Sequence, residues 1–540
     1  MKQYLFAAEA DQIQRFVFRS AKLREVRGAS RMLDEFCKNV PSILAGNLSL
    51  TDQDWKIVSN AGGAFRIVFN NQENALCFGR RLAEMYRQVA DASMSIAELI
   101  EFKEGGFVIA QNLANAALRQ AKRMGRATQS TSHLPHIALC ASCGIELATT
   151  FEQRHSDERA NYLCDTCREK ASIGPAHQRR DNEFLDPADP ADAIADFDPK
   201  GYVAYLKADG NGMGKWFGKC DRDELEALSL ALDQVMHACL LESDRTMGAL
   251  ITRLNDEKKW SYEAEGVITP LLLAGDDCFA LVPAPYALDY ARRFCLEFER
   301  QMEALLCKPP LDALKARLQQ AGDYQRPTIT AALVICKSNY PYTLAHDRAE
   351  EMLKAAKKLA KTSKTGGEVA SMVDFEVVTG NKVLHDEDSM ISKDSVTRNG
   401  TISMRPYWVI PDGATESAVL QAVSLDTSKI LNERYALHNY PNGRISQLRQ
   451  LFDVDSSKLS AEGWQIRWAA LRDRLVRFDA RDPNLSWCEL GSNTAKPGCL
   501  QYFLRYGHGV YAHGLPDLIE MWDYSYRLDK KKEDYARRSA

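Results

Sequence analysis

The chain has 540 residues, a net charge of −4 and an ordinary globular composition, with 45% hydrophobic and 26% charged residues. This length predicts about three or four domains. No stretch is long and apolar enough to span a membrane, no signal peptide opens the chain, and the near-neutral charge gives no global attraction to nucleic acid. Fourteen cysteines fit a reducing compartment, so we expect a cytoplasmic protein with no membrane partner.

The N-terminal region, residues 1–130, combines strands, a glycine turn and a helix. A strand at 4–10 leads into Asp11, and a strand-turn-strand pattern covers 55–69 with glycines but no acids in its turn. A helical pattern follows at 114–123. These elements predict an α/β domain without an acidic site at its hairpin.

Two cysteine pairs follow in the region 131–180. Cys140-Ala-Ser-Cys143 and Cys164-Asp-Thr-Cys167 are separated by twenty residues. This spacing is typical of zinc ribbons and knuckles, in which four thiolates bind Zn²⁺ tetrahedrally and leave no open position. We therefore predict a structural zinc. The alternatives are reduced surface thiols or a redox pair, and two matched pairs disfavour both. An Asp- and Pro-rich segment, 181–199, is typical of a linker.

The next region, residues 200–380, begins with a strand that ends at Asp209. A glycine-rich turn follows directly. Glycine lets backbone N–H groups approach a phosphate closely, and a helix start adds a favourable dipole. The turn therefore predicts nucleotide-binding residues, which are Gly210, Asn211, Gly212, Met213 and Gly214.

An apolar hairpin at 270–283 presents Gly275 and two adjacent acids, Asp276 and Asp277, at its turn. Neighbouring carboxylates repel each other unless a cation lies beside them. The simple alternative is an Asp-rich hairpin turn. Together with Asp209, however, the pair predicts a catalytic site in which the three acids bind Mg²⁺ or Mn²⁺ for phosphoryl transfer.

Lys357, on a helix at 349–358, is the candidate for a phosphate-contacting lysine of this site. The alternative is a solvated lysine on a helix face, which is the usual environment of this residue type. Residues 381–540 carry mainly helical periods and show no catalytic constellation, so we predict a helical C-terminal domain.

The first and second α/β regions repeat one pattern, which indicates two related domains. The first has lost its acidic hairpin and the second retains it. The sequence pairs Asp11 with Asp209, Ala64 and Phe65 with Asp276 and Asp277, and Lys122 with Lys357.

These motifs resemble one family over about residues 1–380. The resemblance is carried by Asp11-Gln-Ile-Gln-Arg-Phe-Val-Phe, Leu23-Arg-Glu-Val-Arg-Gly-Ala-Ser30, both cysteine pairs, Asp209-Gly-Asn-Gly-Met-Gly and Ala274-Gly-Asp-Asp277. The chain resembles the polymerase-like large subunit of type III CRISPR effector complexes, and its two domains are similar to diguanylate cyclases and class III nucleotide cyclases.

The resemblance implies an α/β (α+β) fold with two ferredoxin-like palm domains. In that family the second palm converts ATP to cyclic oligoadenylates when target RNA is bound, and these second messengers activate antiviral effectors. The metal-binding acids carry over to Asp209, Asp276 and Asp277, the turn backbone to 210–214, and the helix lysine to Lys357. The implied partners are ATP or other nucleotides, other subunits of such a complex, and guide and target RNA.

Three departures from the family pattern bear on activity. Ala274 replaces the first glycine of a double glycine, and Asn211 replaces a common second aspartate. The chain begins directly at the first palm, so we expect no histidine-aspartate nuclease domain and no DNA nuclease activity.

The leading hypothesis is a Mg²⁺-dependent nucleotidyltransferase whose first palm holds the acceptor nucleotide. The alternative is a catalytically weak or inactive nucleotide-binding scaffold, which Ala274 and Asn211 favour. A third reading, a template-directed polymerase, shares the metal chemistry but needs a nucleic-acid channel, for which the near-neutral charge gives no support.

Overall fold

The computed structural model describes most of the chain up to residue 378 and short pieces beyond it. The described residues are 2–124 (except 21, 91 and 104), 138–153, 159–176, 190–258 (except 196 and 199), 268–362, 371–378, 397–398, 401–402, 405–409, 504–506, 510–512, 517, 520, 521 and 524. Within this part, no helix has the length and apolar character needed to cross a bilayer.

Strands and helices alternate along the chain. The strands are β1 (Gln3–Ala10), β2 (Trp55–Ser59), β3 (Ala64–Phe69), β4 (Met94–Ile96), β5 (Ile100–Phe102), β6 (Thr150–Glu152), β7 (Asn161–Leu163), β8 (Tyr202–Gly210), β9 (Thr269–Ala274), β10 (Asp277–Pro283), β11 (Ile329–Lys337), β12 (Met372–Val377), β13 (Thr397–Arg398), β14 (Thr401–Ile402), β15 (Tyr407–Trp408), β16 (Leu504–Tyr506) and β17 (Val510–Ala512). The helices are α1 (Ile13–Phe18), α2 (Leu23–Asn47), α3 (Gln72–Ala90), α4 (Phe107–Met124), α5 (Asp165–Ala176), α6 (Pro190–Ala195), α7 (Met213–Phe217), α8 (Arg222–Lys258), α9 (Ala287–Leu305), α10 (Leu311–Gln320) and α11 (Tyr342–Thr362).

Two sheets share one strand order. The first sheet runs β2-β3-β1-β4, and β5 also pairs with β1. The second runs β9-β10-β8-β11 and continues through β12 and β15. In each sheet the first strand of the repeat lies between the third and fourth, which is the ferredoxin-like arrangement. The predicted α/β fold with two palm domains is confirmed.

Buried residues alternate between two hydrophobic cores, one on each side of the sheets. One core contains Leu5 of β1 and Leu206 of β8, and the other contains Phe65 of β3 and Phe279 of β10. Because successive strand side chains point to opposite faces, each sheet contributes to both cores. Residues of both palms make up each core, so the palms are packed together as one body.

The two palms meet in a reciprocal way. Helix α2 of the first palm contacts β9 of the second, and α8 of the second contacts β2 of the first. The contact of α8 with β2 includes a hydrogen bond of 2.9 Å between Ser59 and Ser229 and an ion pair of 2.7 Å between Lys56 and Glu226.

The hairpin turns of the two palms also face each other across this interface. A Cβ placed on Gly62 would lie 3.7–3.8 Å from the carbonyl group and Cβ of Ala274. The methyl group of Ala274 therefore lies beside the turn of the first palm.

The cysteine-rich region is docked on the first palm. Helix α5 packs so closely on α2 that a Cβ on Gly28 would lie 1.9 Å from the carbonyl oxygen of Lys170. Ser142 donates a hydrogen bond to Glu25 of α2, and both residues are buried.

The segments on either side of the second palm contribute elements that pack on it or pair with it. The predicted linker 181–199 contains α6, which packs on β8 and β10 and buries Ile194 completely. Beyond residue 380, β15 pairs with β12, and Tyr407 donates a 2.8 Å hydrogen bond to Asp517. These pieces join the second palm. The predicted helical domain of 381–540 otherwise lies outside the described residues.

Candidate functional site

The antiparallel register of β8 and β10 brings the predicted acids together. Asp209 lies directly opposite Asp277. Strand β9 ends at Ala274 and β10 begins at Asp277, so Gly275 and Asp276 form the turn between them. Gly275 has a φ of +65°, a conformation that glycine adopts without steric cost. The hairpin therefore carries its acids at the tip, as predicted.

Asp209 and Asp276 form a carboxyl pair. Their side chains share a hydrogen bond, and burial together with the neighbouring Asp209 raises the pKa of Asp276 to about 7. A Cβ on Gly210 would lie 3.0 Å from Oδ2 of Asp276, so this glycine is what allows the close approach. Two facing carboxyl groups that hold a proton between them are a suitable donor set for a hard divalent cation, which would replace that proton.

Asp277 has a different partner, Lys207 of β8, which was not among the residues predicted from the sequence. The Lys207 Nζ atom lies 2.9 and 3.0 Å from the two carboxylate oxygens of Asp277 and 3.5 Å from Glu350 of α11. Burial opposes the charge of Lys207, but Asp277 and Glu350 outweigh it and raise the pKa of the lysine. The available sequence signal was strand alternation, which places Lys207 on the same face as Asp209.

The three acids are neighbours but do not form a closed triad. Within the part of the chain that the structure describes, four cysteines form the one group of three or more potential metal ligands whose ligand atoms all lie within 4.8 Å of one another. The hairpin therefore offers Asp209 and Asp276 as a facing pair, with Asp277 held beside them by Lys207.

Lys357 reaches this site from α11, where the sequence analysis placed it. Its ammonium group donates to the carboxylate of Asp209 and, at 2.8 Å, to the carbonyl oxygen of Gly210. A lysine that contacts both the acid and the glycine turn is placed to contact a phosphate bound between them.

The glycine-rich turn contains two kinds of residue: some have side chains that hold the turn in place, and others are glycines that leave its surface open. Asn211 donates to Thr328 at 3.1 Å and accepts from Thr330 at 2.9 Å, so its side chain fastens the turn to β11. Met213 is 2% exposed and belongs to the core. Gly212 has a φ of +71°, and a Cβ on Gly214 would meet nothing within 4 Å. The side chains of Asn211 and Met213 thus stabilise the turn, and the open surface lies at the glycines.

The register of the first palm corrects the sequence alignment by one residue at the hairpin. Strands β1 and β3 pair Glu9 with Ala64, the equivalent of Asp209 with Asp277. Gly63 and Ala64, rather than Ala64 and Phe65, therefore occupy the positions of Asp276 and Asp277. The sequence alignment was wrong because it treated Gly62 and Gly63 together as the glycines that precede the acidic positions. The hydrogen-bonded register shows that Gly63 itself occupies the first of those positions, in the turn.

The same register makes Glu9 the equivalent of Asp209. Asp11, which the sequence paired with Asp209, corresponds instead to Asn211. Its carboxylate accepts hydrogen bonds from Ser93 and Ser95, as Asn211 bonds to two threonines in the second palm. The first palm thus keeps an acid at the end of its first strand.

Glu9 is neutralised by two cations of its own domain. Arg66 contacts it at 2.9 Å and Lys122 at 2.5 Å. Arg66 also donates to Asn115 at 2.9 Å, and the hydrogen bonds of both cations outweigh burial and lower the pKa of Glu9. Lys122 is the counterpart of Lys357, as predicted. The first palm therefore has a net positive cluster where the second has a net negative one.

The four cysteines form the predicted metal-binding cluster. Cys140, Cys164 and Cys167 are buried and Cys143 is partly buried, and the described structure contains these thiols as free cysteines. The sulfur atoms of Cys143 and Cys164 lie 4.0 Å apart. Four thiolates at the Zn–S distance of a tetrahedral site have an edge of about 3.8 Å. The donor set and spacing fit a structural Zn²⁺.

Comparisons with known proteins agree with this geometry. Residues 202–365 match the family model described as Cas10/Cmr2, second palm domain. No curated protein matches the chain. The resemblance inferred from the sequence is thus confirmed for the second palm, which is similar to the second palm domain of Cas10/Cmr2.

The chain is also similar in fold to solved structures. The crystal structure of Csm1 in T. onnurineus has 14% sequence identity and a TM-score of 0.47, over 88% of this chain and 64% of that one. A Csm1–Csm4 cassette in complex with cA3 has 14% identity and a TM-score of 0.50, over 97% of this chain and 70% of that one. The chain therefore spans a little less than two thirds of the T. onnurineus relative.

Proposed function

We propose that the second palm is a Mg²⁺-dependent nucleotidyltransferase site that joins nucleotides, ATP above all, into cyclic oligoadenylate-type second messengers for antiviral defence. The observation that carries the proposal is the facing pair Asp209 and Asp276 beside Lys357 and an open glycine turn. The match of this segment to the Cas10/Cmr2 second palm supports it. So does the similarity in fold to a Csm1–Csm4 cassette that was crystallised with cA3.

Asp209 and Asp276 would hold Mg²⁺, with Asp277 beside them. When bound, Mg²⁺ would acidify the attacking 3′-hydroxyl group and neutralise charge on the triphosphate. Lys357 would exchange its contact with Asp209 for one with a phosphate oxygen. Glycines 210, 212, 214 and 275 would let the backbone approach the nucleotide, and the first palm would hold the acceptor.

The alternative is a weakly active or inactive scaffold that binds nucleotides within an RNA-guided or signalling complex. Two sequence departures favoured this reading, and both have local explanations. Asn211 fastens the turn to β11 in the same way as Asp11 fastens the turn of the first palm. The methyl group of Ala274 faces Gly62 at the palm interface. The observation that still favours a scaffold is the ion pair of Asp277 with Lys207, which occupies one of the three acids.

The partners follow from the same proposal. We propose that the chain works with other protein subunits and with guide and target RNA, as a Csm1-like component of a type III CRISPR complex. The solved relative with a TM-score of 0.50 contains Csm4 beside Csm1. Zn²⁺ bound by the four cysteines would be structural, because a site with four thiolates has no open position for substrate.

The test is product formation from ATP, and separately from mixed nucleoside triphosphates, with Mg²⁺ or Mn²⁺, resolved by mass spectrometry. We expect oligonucleotide products that Asp276→Asn with Asp277→Asn abolishes, a loss of at least about 100-fold because metal-bound charge stabilises the transition state. The matched control is Asp347→Asn, which changes an acid of α11 that is 75% exposed and should keep full activity.

Products that persist in the double variant would refute the site. If the wild type forms no product, nucleotide binding is measured by calorimetry with and without target RNA and partner subunits. ATP binding that is retained in the absence of any product under all these conditions would support the scaffold.

A further inference from the structure

Each palm buries one cation beside the acid at the end of its first strand, but the two cations bind different groups. In the second palm, Lys207 lies on β8, two residues before Asp209. In the first palm, Arg66 lies on β3 and binds Glu9 itself, the counterpart of Asp209. Neither cation has an equivalent in the other palm, because Ala7 replaces the lysine and Phe279 replaces the arginine.

The ammonium group of Lys207 forms an ion pair with Asp277 and donates a hydrogen bond to its Oδ2 atom, whereas the buried Oδ1 atom accepts no hydrogen bond among the described residues. The Lys207 Nζ atom lies within 3.0 Å of both carboxylate oxygens and 3.5 Å from Glu350, and the lysine side chain is 1% exposed. A buried ammonium group is stable only while its carboxylate partners remain in place, so this cluster is a fixed part of the domain. Asp277 is thereby directed toward Lys207, whereas the carboxylate of Asp276 lies against Gly210, the residue that follows Asp209: a Cβ on Gly210 would be 3.0 Å from Oδ2 of Asp276.

We propose that Lys207 is a positioning residue that holds Asp277 out of the metal site, so that Asp209 and Asp276 are the carboxylate ligands of the divalent cation. The inference rests on the metal site of the proposed function but not on the identity of its product. It divides the roles of two adjacent aspartates that look equivalent in the sequence. Asp276 binds the metal, and Asp277 maintains the charge balance of Lys207 and Glu350.

The first palm supports this division by contrast. There the cation contacts the strand acid directly, at 2.9 Å, and Lys122 contacts the same carboxylate at 2.5 Å. Arg66 is also bonded to the carbonyl oxygen of Phe65 at 2.9 Å and to Asn115. Two neighbouring cations repel a divalent metal and compete with it for the carboxylate, so this acid is a poor metal ligand. The palms therefore provide one metal-binding acid pair per chain.

The test measures Mn²⁺ binding to the full-length, zinc-loaded protein. The amount of free Mn²⁺ is determined from its electron paramagnetic resonance signal. Asp276→Asn should weaken binding by at least about 100-fold, since even indirect partners of metal ligands contribute 10- to 100-fold. Asp277→Asn should weaken binding by no more than about tenfold, the lower end of the effect of an indirect partner, because it removes a neighbouring charge but no ligand. Glu9→Gln, the matched control in the first palm, should leave the affinity and the stoichiometry unchanged.

A second set of variants tests the role of Lys207 itself. Lys207→Met frees Asp277 and Glu350 and should raise the number of bound Mn²⁺ ions by one, whereas Lys207→Arg keeps the cation and should leave it unchanged. Because Lys207→Met also leaves buried carboxylates unpaired, folding is checked by circular dichroism. Combining it with Asp277→Asn relieves that charge and should return the stoichiometry to that of the wild type.

The outcomes separate this inference from the proposed function. If Asp277→Asn loses Mn²⁺ as completely as Asp276→Asn, Asp277 is a direct ligand and the role given to Lys207 is wrong, while the metal site stands. If the wild-type protein binds no Mn²⁺ at all, the metal site of the proposed function is itself wrong. An unchanged stoichiometry in folded Lys207→Met would also overturn the positioning role.

Discussion

Asp276 shows how one residue can be unfavourable for the folded protein and useful to its site. Its carboxyl group is brought against Asp209 by the hairpin turn, and Gly210 leaves the space for this contact. Burial and the neighbouring charge then hold a proton on Asp276 near neutral pH. In a binding site this unfavourable pairing is relieved by a cation, so the cost to the free protein contributes to metal affinity.

The raised pKa of Asp276 predicts a pH-dependent stability in protein free of divalent metal other than zinc. The folded state keeps this proton up to about pH 7, whereas the unfolded chain releases it near pH 4, so the contribution of Asp276 falls as pH rises from about 4 to about 7 and is constant above. We expect Asp276→Asn to lack this contribution.

The measurement is the difference in melting temperature between wild type and Asp276→Asn from pH 5 to pH 8. Taking the difference cancels the contributions of other titrating groups. One of them is His346: burial lowers its pKa, so its contribution to stability changes with pH in the opposite direction. The variant should gain stability relative to the wild type as pH rises to about 7. A difference that does not vary with pH would contradict the assigned proton.

At the level of elements, the contact between α2 and α5 connects the cysteine cluster to the first palm. Cys164 and Cys167 of the cluster lie at the start of α5, and Gly28 allows that helix to pack directly on α2. Lys170 on α5 reaches the carbonyl oxygen of Phe16 at 2.5 Å and places its ammonium group 4.0 Å from the centre of the Phe16 ring. The cysteine cluster is therefore joined to the first palm by the packing of α5 and by contacts of its loops, such as the ion pair of Arg19 with Glu146.

Gly28→Ala should destabilise the protein by about 1–3 kcal/mol, because the added methyl group would overlap a backbone oxygen that cannot move without shifting a helix. The matched control is Gly46→Ala on the same helix. A Cβ there meets nothing within 4 Å, so alanine should stabilise by up to about 1 kcal/mol through helix propensity. Both are measured by thermal unfolding together with zinc content. Equal effects of the two variants would contradict close packing at Gly28.

At the level of the whole molecule, we expect the duplicated palms to unfold as one unit, because both cores contain residues of both palms. Phe65 of the first palm is fully buried and packs edge-on against Phe36, with ring centres 6.2 Å apart. It belongs to the same core as Tyr205 and Phe279 of the second palm. Loss of packing in one palm should therefore lower the stability of the other palm as well.

Phe65→Ala should cost about 3–5 kcal/mol and lower the stability of both palms together. The measurement is native-state hydrogen exchange, in which the amides of β1 and β8 should lose protection by the same free energy. The control is Leu76→Ala, since Leu76 is 43% exposed on α3 and should have little effect. Loss of protection confined to the first palm would show that the palms unfold separately.

Much of the site could be predicted because acids at the ends of apolar strands have few purely structural uses. Asp209, Asp276 and Lys357 converge as expected, and so do the four cysteines. Lys207 and Arg66 were missed because each is a single charge within an apolar strand, and only three-dimensional register shows which acid it contacts. The hairpin alignment of the first palm failed for the same reason, since glycines do not indicate which residue begins the next strand.

The pairing of Arg66 with Glu9 also restricts how the first palm can change over evolutionary time. Restoring acids at positions 63 and 64 alone would place them beside an arginine that already neutralises Glu9, and removing Arg66 alone would leave two backbone carbonyl groups and Asn115 without their donor. Each of these single substitutions is unfavourable, and an acidic site in the first palm would require several of them together. The contacts of Arg66 therefore stabilise the present difference between the two palms.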